Sequence, residues 1–452
     1  MKIAVVGTGY VGLVSGACLA DFGHDVTCID SDATRVAGLR RGEMPFYEPG
    51  LGEMVERHSV SGRLRFTTEL TEGVVDAQVV FLAVGTPPAS NGEADLSQVT
   101  AAVRQMAPSL SAGCVVVTKS TVPVGTGALI RDLLGARVTD ADLQVISNPE
   151  FLREGSAIAD FMRPDRVVIG ATSERAAAVM RDIYRPLYLI ETPLVFTTIE
   201  SAEMIKYASN AFLAVKISFI NEVANLCERT GADVHVVAKT MGLDKRIGSK
   251  FLHPGPGYGG SCFPKDTRAL AALGARHDVA LDVVTAAIAA NDRQREVTVE
   301  KIAHAAGSLA EATVAVLGLA FKPNTSDIRE SPAWFICQAL VARGARVRAF
   351  DPAALDEARR ALDGDAAAGR LHFASDAHDA ATGADVLVIA TEWNEFRSLD
   401  LDRLRGLMRR PIIVDVRNVL DPDRARAAGF TYVGTGRGAP APAPATPAAI
   451  TV

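Results

Sequence analysis

KIAVVGTGYVG, residues Lys2–Gly12, decides how the chain begins. Lys2–Val6 is a run of strand formers, and a helical pattern opens at its far end. Between them lies Gly7-x-Gly9-x-x-Gly12. The first glycine permits a tight turn, and the second lets backbone approach a pyrophosphate at the helix N-terminus. The third allows close helix–strand packing. Asp30 closes the next strand, 18 residues beyond Gly12. A carboxylate there accepts both ribose hydroxyls and repels a 2′-phosphate, so the pattern predicts NAD rather than NADP. Arg35 works the other way, since a nearby arginine can neutralise a phosphate. Gly7, Gly9, Tyr10, Val11, Gly12, Asp30 and Arg35 are therefore the cofactor candidates, against a plain glycine turn with no ligand.

Working outward, strand-like runs fall at Val26–Asp30, Val79–Val84, Val115–Lys119, Leu143–Ser147 and Val167–Gly170, with helix-length segments between them. That alternation predicts an α/β domain with a parallel sheet covered on both faces. Val84-Gly85-Thr86-Pro87 and Ser120-Thr121-Val122-Pro123 extend the same carboxyl edge, where open α/β sheets bind ligands. They add Thr86 and Thr121 as candidates, or are ordinary turns. From Glu200 to Arg229 there is no Pro or Gly. Met204, Ile205, Ala208, Phe212, Val215, Phe219, Val223 and Leu226 recur at helical spacing, which predicts one long amphipathic helix. Further helix is expected at Asp233–Met241, Lys265–Leu273 and Leu281–Ala305. Strands resume at Thr313–Leu317, Arg346–Phe350, Val386–Ala390 and Ile412–Val416. TVAVLGLA echoes KIAVVGTG, and VRAFDP echoes VTCID, but the echo lacks a full glycine fingerprint.

The expected organisation is two Rossmann-like doubly wound domains, residues 1–199 and 311–435, joined by a long central helix and a helical middle domain, 200–310. A Gly/Ala/Pro-rich tail, 436–452, is expected to be disordered. Of the 452 residues, 48% are hydrophobic and 22% charged, and the net charge is −6. That balance is globular and argues against nucleic acid or an anionic membrane as a partner. No apolar stretch reaches the ~18 residues of a membrane span. The glycine-interrupted start does not read as a signal peptide. Cys18, Cys28, Cys114, Cys227, Cys262 and Cys337 form no CxxC pair and no metal-ligand spacing, so a reduced, cytoplasmic chain without a metal site is expected.

Cys262 stands apart from the other five. It follows Gly259-Gly260-Ser261 and precedes a helical pattern with Pro264 in its first turn. A thiol at a helix N-terminus, with Lys265 adjacent, ionises more readily, and the flanking glycines leave room for a substrate. The other reading is a small buried residue. Asp266, four residues on, shares its helix face. It is either a base beside sulfur or a solvated first-turn acid. Lys206 and Asn210 make another i, i+4 pair, suited to an oxyanion or simply a solvated face. Asn148-Pro149-Glu150-Phe151-Leu152-Arg153-Glu154 adds two carboxylates after a strand. One of them is a catalytic candidate, or both are early-helix acids.

VVGTGYVG, KSTVPVGT, NPEFLREG, EMIKYASNAFLAVKISFINE, FLHPGPGYGGSCFPKD and GLAFKPNTSDIRES, in that order, resemble the UDP-glucose/GDP-mannose dehydrogenases over Met1 to about Asp421. DKRIGSKFLHPGPGYGGSCFPKD is most similar to the UDP-glucose branch. The resemblance implies a two-step, NAD-dependent oxidation of UDP-glucose to UDP-glucuronate. Cys262 would form a thiohemiacetal and then a thioester. Lys206 and Asn210 would stabilise oxyanions, and Asp266, with Thr121 and Glu150 holding water, would serve the proton transfers. Glu154, Lys265 and Arg329 would border the cofactor. Phe151, Leu152, Phe251 to Gly257, Phe321, Lys322 and Arg417 would hold the substrate beside Glu150, Lys206 and Asn210. Arg246 would reach across a homodimer built on the long helix, and the second Rossmann-like domain would bind the UDP-sugar. A free thiol is only about 3% ionised at neutral pH, so its helix terminus matters.

The nearest rival is the same four-electron oxidation of another nucleotide sugar, such as GDP-mannose or UDP-galactose. A single oxidation of the 6-phosphogluconate type needs no cysteine. A non-catalytic NAD-binding redox sensor needs no oxyanion donors.

Overall fold

The computed structural model describes residues 1–139, 142–362 and 369–437. They form two compact units: Met1–Asn210 with Lys265–Ala280, and Ala211–Pro264 with the residues from Leu281 onward. No helix among the described residues is long and apolar enough to cross a membrane.

In the first unit, eight strands form one sheet: β1 (Lys2–Val6), β2 (Asp25–Ile29), β3 (Leu64–Thr67), β4 (Val79–Leu82), β5 (Val115–Thr118), β6 (Gln144–Ser147), β7 (Val167–Gly170) and β8 (Leu194–Thr197). Their order is β3-β2-β1-β4-β5-β6-β7-β8, reversing between β1 and β4. The central strands are buried on both faces, as covered parallel strands must be. Alternation splits their side chains. Ile3, Val5, Phe81, Val115 and Val117 join the core on one face, while Ala4, Val6, Val80, Leu82 and Val116 join the other. The sheet is parallel except that β6 meets β7 antiparallel, through Ser147 and Gly170. A uniformly apolar run carries no mark of strand direction, so this departure from the expected parallel sheet is not legible in the sequence.

The second unit holds β9 (Thr313–Leu317), β10 (Arg346–Phe350), β11 (Leu371–Phe373), β12 (Val386–Ile389), β13 (Ile412–Asp415) and β14 (Thr431–Gly434). Their order, β11-β10-β9-β12-β13-β14, repeats the first six of the other sheet, and every pairing is parallel. The echo between the two halves is thus a shared topology. Helix Ile199–Thr230 is continuous for 32 residues and passes from the first unit to the second after Asn210. Helices Val234–Leu243, Phe263–Arg276 and Asp282–Ala306 follow.

Two expectations need adjustment. The apolar stripe read along the long helix does not coincide with its buried side: Met204, Phe212, Phe219 and Leu226 are exposed, while Tyr207, Ala211, Ala214, Ile220, Ala224 and Cys227 are buried. Gly436 and Arg437, where the tail was expected to begin, are held. Gly436 N donates to Glu228 Oε1 at 2.6 Å, and Arg437 bridges Asp233. The rest of that segment, 438–452, lies outside the described residues.

Candidate active site

In the first unit, the candidate residues gather on the carboxyl edge of the sheet. Gly7 follows β1 with φ +101°, and a Cβ there would lie 2.6 Å from Ala83 O. A Cβ on Gly12 would strike Gly7 O at 1.9 Å, so both residues must be glycine for the turn to close. Gly9 differs: an added Cβ would meet no protein atom within 4 Å. It caps helix Tyr10–Asp21 with no side-chain cap. The space before it is free for a ligand's phosphates to approach the helix N-terminus. Asp30 Oδ2 accepts from Thr8 N and Oγ1, each at 2.7 Å, and from Arg35 Nη1 at 3.1 Å. Its Oδ1 accepts from Asp32 N at 3.0 Å, which leaves acceptor capacity for a ribose hydroxyl. Burial opposes ionisation of Asp30, but Asp32, Thr8 and Arg35 outweigh it and hold the carboxyl below the usual range. Arg35 is thus engaged by Asp30 and Asp32. These residues fit a dinucleotide with free ribose hydroxyls.

Asp351 occupies the matching position after β10 and shows why that turn differs. Its carboxylate takes Leu319 N and Ala320 N at 2.7 and 3.0 Å, Ala353 N and Ala354 N at 2.9 Å, and Trp393 Nε1 at 3.1 Å. Five internal donors leave no capacity for ribose.

Further along the edge, Thr86 Oγ1 donates to Thr121 O at 2.9 Å, tying the β4 and β5 turns together. After β6, Glu150 Oε2 accepts from Leu152 N at 2.6 Å and Oε1 pairs with Lys206 Nζ at 2.9 Å. Phe151 is stacked by Arg166, 3.6 Å from its centroid. Asn210 Nδ2 donates to Asp266 Oδ2 at 2.6 Å, and Lys265 Nζ pairs with Asp266 Oδ1 at 2.7 Å. Lys206, Asn210, Asp266 and Glu150 are all buried. The solvated-face and solvated-acid readings therefore fall away for Lys206, Asn210 and Asp266, and Glu150 lies in the loop after β6 rather than in a first helical turn. Lys265 is engaged by Asp266. Tyr10 donates to Glu48, which also accepts from Gly155 N at 2.6 Å and so fixes the backbone after Glu154.

In the second unit, Cys262 is partly exposed whereas the other five cysteines are buried. Its sulfur lies 3.6 Å from Ser261 Oγ, and it directly precedes helix Phe263–Arg276. The glycines before it have another cause than the one expected. A Cβ on Gly259 would fall 2.3 Å from Glu330 O, and one on Gly260, at φ +82°, 2.8 Å from the Phe321 ring. Chain packing requires them. Asn291 holds Tyr258 from both sides, and its Oδ1 would lie 2.8 Å from a Cβ on Gly257. Phe251 carries a φ of +63°. Arg417 reaches Phe321 O and Ala390 O, each at 3.0 Å, and pairs with Glu392. Lys322 lies over the Phe321 ring, and Arg329 pairs with Asp327. Arg246 is 89% exposed and pairs with Asp244.

Three blocks match a single family. Residues 1–188 match the NAD binding domain of the UDP-glucose/GDP-mannose dehydrogenase family, 200–293 its central domain and 315–422 its UDP binding domain. The chain belongs to the UDP-glucose/GDP-mannose dehydrogenase family. NAD is accordingly the cofactor, and residues 1–188 are the domain that binds it. Over 96% of this chain and 98% of the relative, it is 53% identical to a UDP-glucose 6-dehydrogenase of Rhizobium meliloti. It is 45% identical to UDP-glucose 6-dehydrogenase TuaD of Bacillus subtilis, over 95% of this chain and 92% of that one. A UDP-glucose dehydrogenase structure from Pyrobaculum islandicum superposes with a TM-score of 0.87 at 40% identity, covering 97% of this chain and 98% of the other.

Sequence reasoning passed over Glu203, Lys119 and Glu48. Glu203 was findable as the start of an i, i+3, i+7 polar series with Lys206 and Asn210 on a helix otherwise apolar there. Lys119, a cation ending the apolar run VVVTK, was the other visible anomaly.

Proposed function

We propose that this dehydrogenase oxidises UDP-glucose to UDP-glucuronate, reducing two NAD⁺ to two NADH per sugar. The observation that carries the chemistry is Cys262, the part-exposed cysteine among six, at the head of the helix that bears Asp266. The relatives' substrate supports the choice of sugar nucleotide. Bound NAD⁺ supplies the hydride acceptor for both oxidations.

The chain's own residues do the rest. The Cys262 thiolate adds to the C6 aldehyde, so a reactive intermediate stays bound between oxidations. Lys206 and Asn210 donate to the oxyanion of the alcohol, hemiacetal and hydrolysis stages. Asp266 serves proton transfer, and Thr121 and Glu150 orient the water that cleaves the thioester. Glu154, Lys265 and Arg329 border the cofactor, and Gly7, Gly9, Tyr10, Val11, Gly12, Asp30, Arg35 and Thr86 bind it. Phe151, Leu152, Phe251, Gly257, Phe321, Lys322 and Arg417 hold the nucleotide sugar. The enzyme works in the cytoplasm as a homodimer in which Arg246 serves the partner's site. The exposed apolar stripe of the long helix supports that pairing.

The test is NADH yield against limiting UDP-glucose, UDP-galactose and GDP-mannose. Two NADH per UDP-glucose, with much weaker turnover of the others, is expected. Cys262→Ser is expected to lower steady-state turnover at least about a thousandfold. One NADH per sugar with free aldehyde released would refute the reading, as would full turnover by Cys262→Ala.

A further inference from the structure

Lys119 follows β5 and is buried. Its Nζ donates to Asn148 Oδ1 at 3.1 Å and Tyr184 Oη at 3.2 Å, and lies 5.8 Å from the ring centres of Phe161 and Tyr184. Every one of these partners is neutral. No carboxylate among the described residues comes within ion-pair reach of Lys119, although a buried ammonium normally has one. The small network is otherwise complete without it. Tyr184 donates to Asn148 Oδ1 at 2.6 Å, and Asn148 Nδ2 donates to Val168 O at 2.8 Å. The local fold does not need this cation, and burial makes it costly.

Lys119 lies within electrostatic reach of the pair proposed above to act on the substrate. Asn148 stands two residues before Glu150, on the same turn after β6. The charged groups that influence Lys119 are Glu150 from that turn and Lys206 from the long helix. Tyr184 is the other titratable group against it. Lys206 and Glu150 form a buried ion pair. Lys119 adds a second positive charge near that pair, and in a low-dielectric interior its field reaches beyond contact distance. Added positive charge there stabilises an oxyanion held by Lys206.

We propose that Lys119 is a positioning residue of the dehydrogenase: a buried cation that adds positive charge behind the Glu150–Lys206 pair and so supports the reacting oxygen as it gains negative charge. The proposal rests on the reading of Glu150 and Lys206 given above. Desolvation, the largest influence, lowers the Lys119 ammonium to about 8, so it is still charged at neutral pH.

The experiment uses the full-length protein with UDP-glucose and NAD⁺. Lys119→Met keeps the volume and removes the charge. Its thermal midpoint should equal or exceed that of the parent, while kcat at pH 7.5 falls about tenfold. KM for NAD⁺ should stay within about twofold, and the fall in kcat through about pH 8, where Lys119 loses its proton, should be absent from the variant. Lys119→Gln, which can still donate to Asn148, separates hydrogen bonding from charge and serves if the Met variant misfolds. It should show the same kinetic loss. Parent-like kcat and pH profile in either variant would overturn the proposal. Glu150→Gln and Lys206→Met are the reference. If they keep full turnover, the site reading itself is wrong. If they collapse while Lys119→Met does not, only the inference about Lys119 fails.

Discussion

Gly9 and Gly12 belong to one turn, yet different things demand them. A methyl on Gly12 would collide with Gly7 O, whereas one on Gly9 would project into empty space. Gly12→Ala is therefore expected to destabilise the protein by at least about 2 kcal/mol. Gly9→Ala should keep the thermal midpoint within about 3 °C and weaken NAD⁺ binding tenfold or more, by about 1.4 kcal/mol. Thermal denaturation and NAD⁺ titration of the two variants check this, and equal NAD⁺ affinity of Gly9→Ala and the parent would count against a pyrophosphate at that turn. Residue types and spacing made most of the site candidates legible. Spacing could not say whether Lys206, Asn210 and Asp266 face solvent, because a helix period describes a face and not what covers it. Nor could it say that Gly259 and Gly260 are imposed by Glu330 and Phe321, far along the chain.

At the scale of elements, the long helix also braces the turn that carries Thr121. Glu203, one turn before Lys206, accepts from Gly125 N at 2.8 Å and Gly127 N at 2.7 Å, capping helix Thr126–Leu134 from outside. Burial pushes its carboxyl up to about 7 against those two donors, which favour the ionised form. Between pH 4.5 and 7 the folded chain then holds a proton that the unfolded chain has released. Stability falls as pH rises through that window, by no more than about 3 kcal/mol. Unfolding followed from pH 5 to 8 should show a shallower loss in Glu203→Gln than in the parent, and identical slopes would remove Glu203 from the account. Elements that escaped the sequence, β3, β8, β11 and β14, are short and partly exposed. All but β3 and β11, which end the sheets on one side, end them on the other. Edge strands lack the double-sided burial that writes a continuous apolar run.

For the whole molecule, the exposed side of the long helix is the feature a single chain does not explain. Phe212, Phe219 and Leu226, seven residues apart, are 65%, 47% and 62% exposed. That spacing suits helix-to-helix packing against a second copy. Sedimentation of the parent should give a dimer, and Phe212→Glu with Phe219→Glu should give monomers of unchanged helicity. A parent that sediments as a monomer would end the homodimer reading and Arg246's part in it.

Glycine spacing, strand runs and the motif blocks determined the two doubly wound halves, the long helix and the family, because each is written in local periodicity or in adjacent residues. Tertiary structure alone decided the antiparallel turn at β7, the exposed side of the long helix, the burial of the Lys206–Glu150 and Asn210–Asp266 pairs, and the filling of Asp351 by five internal donors. Each depends on what distant segments bring against a residue, and one-dimensional spacing carries no record of that.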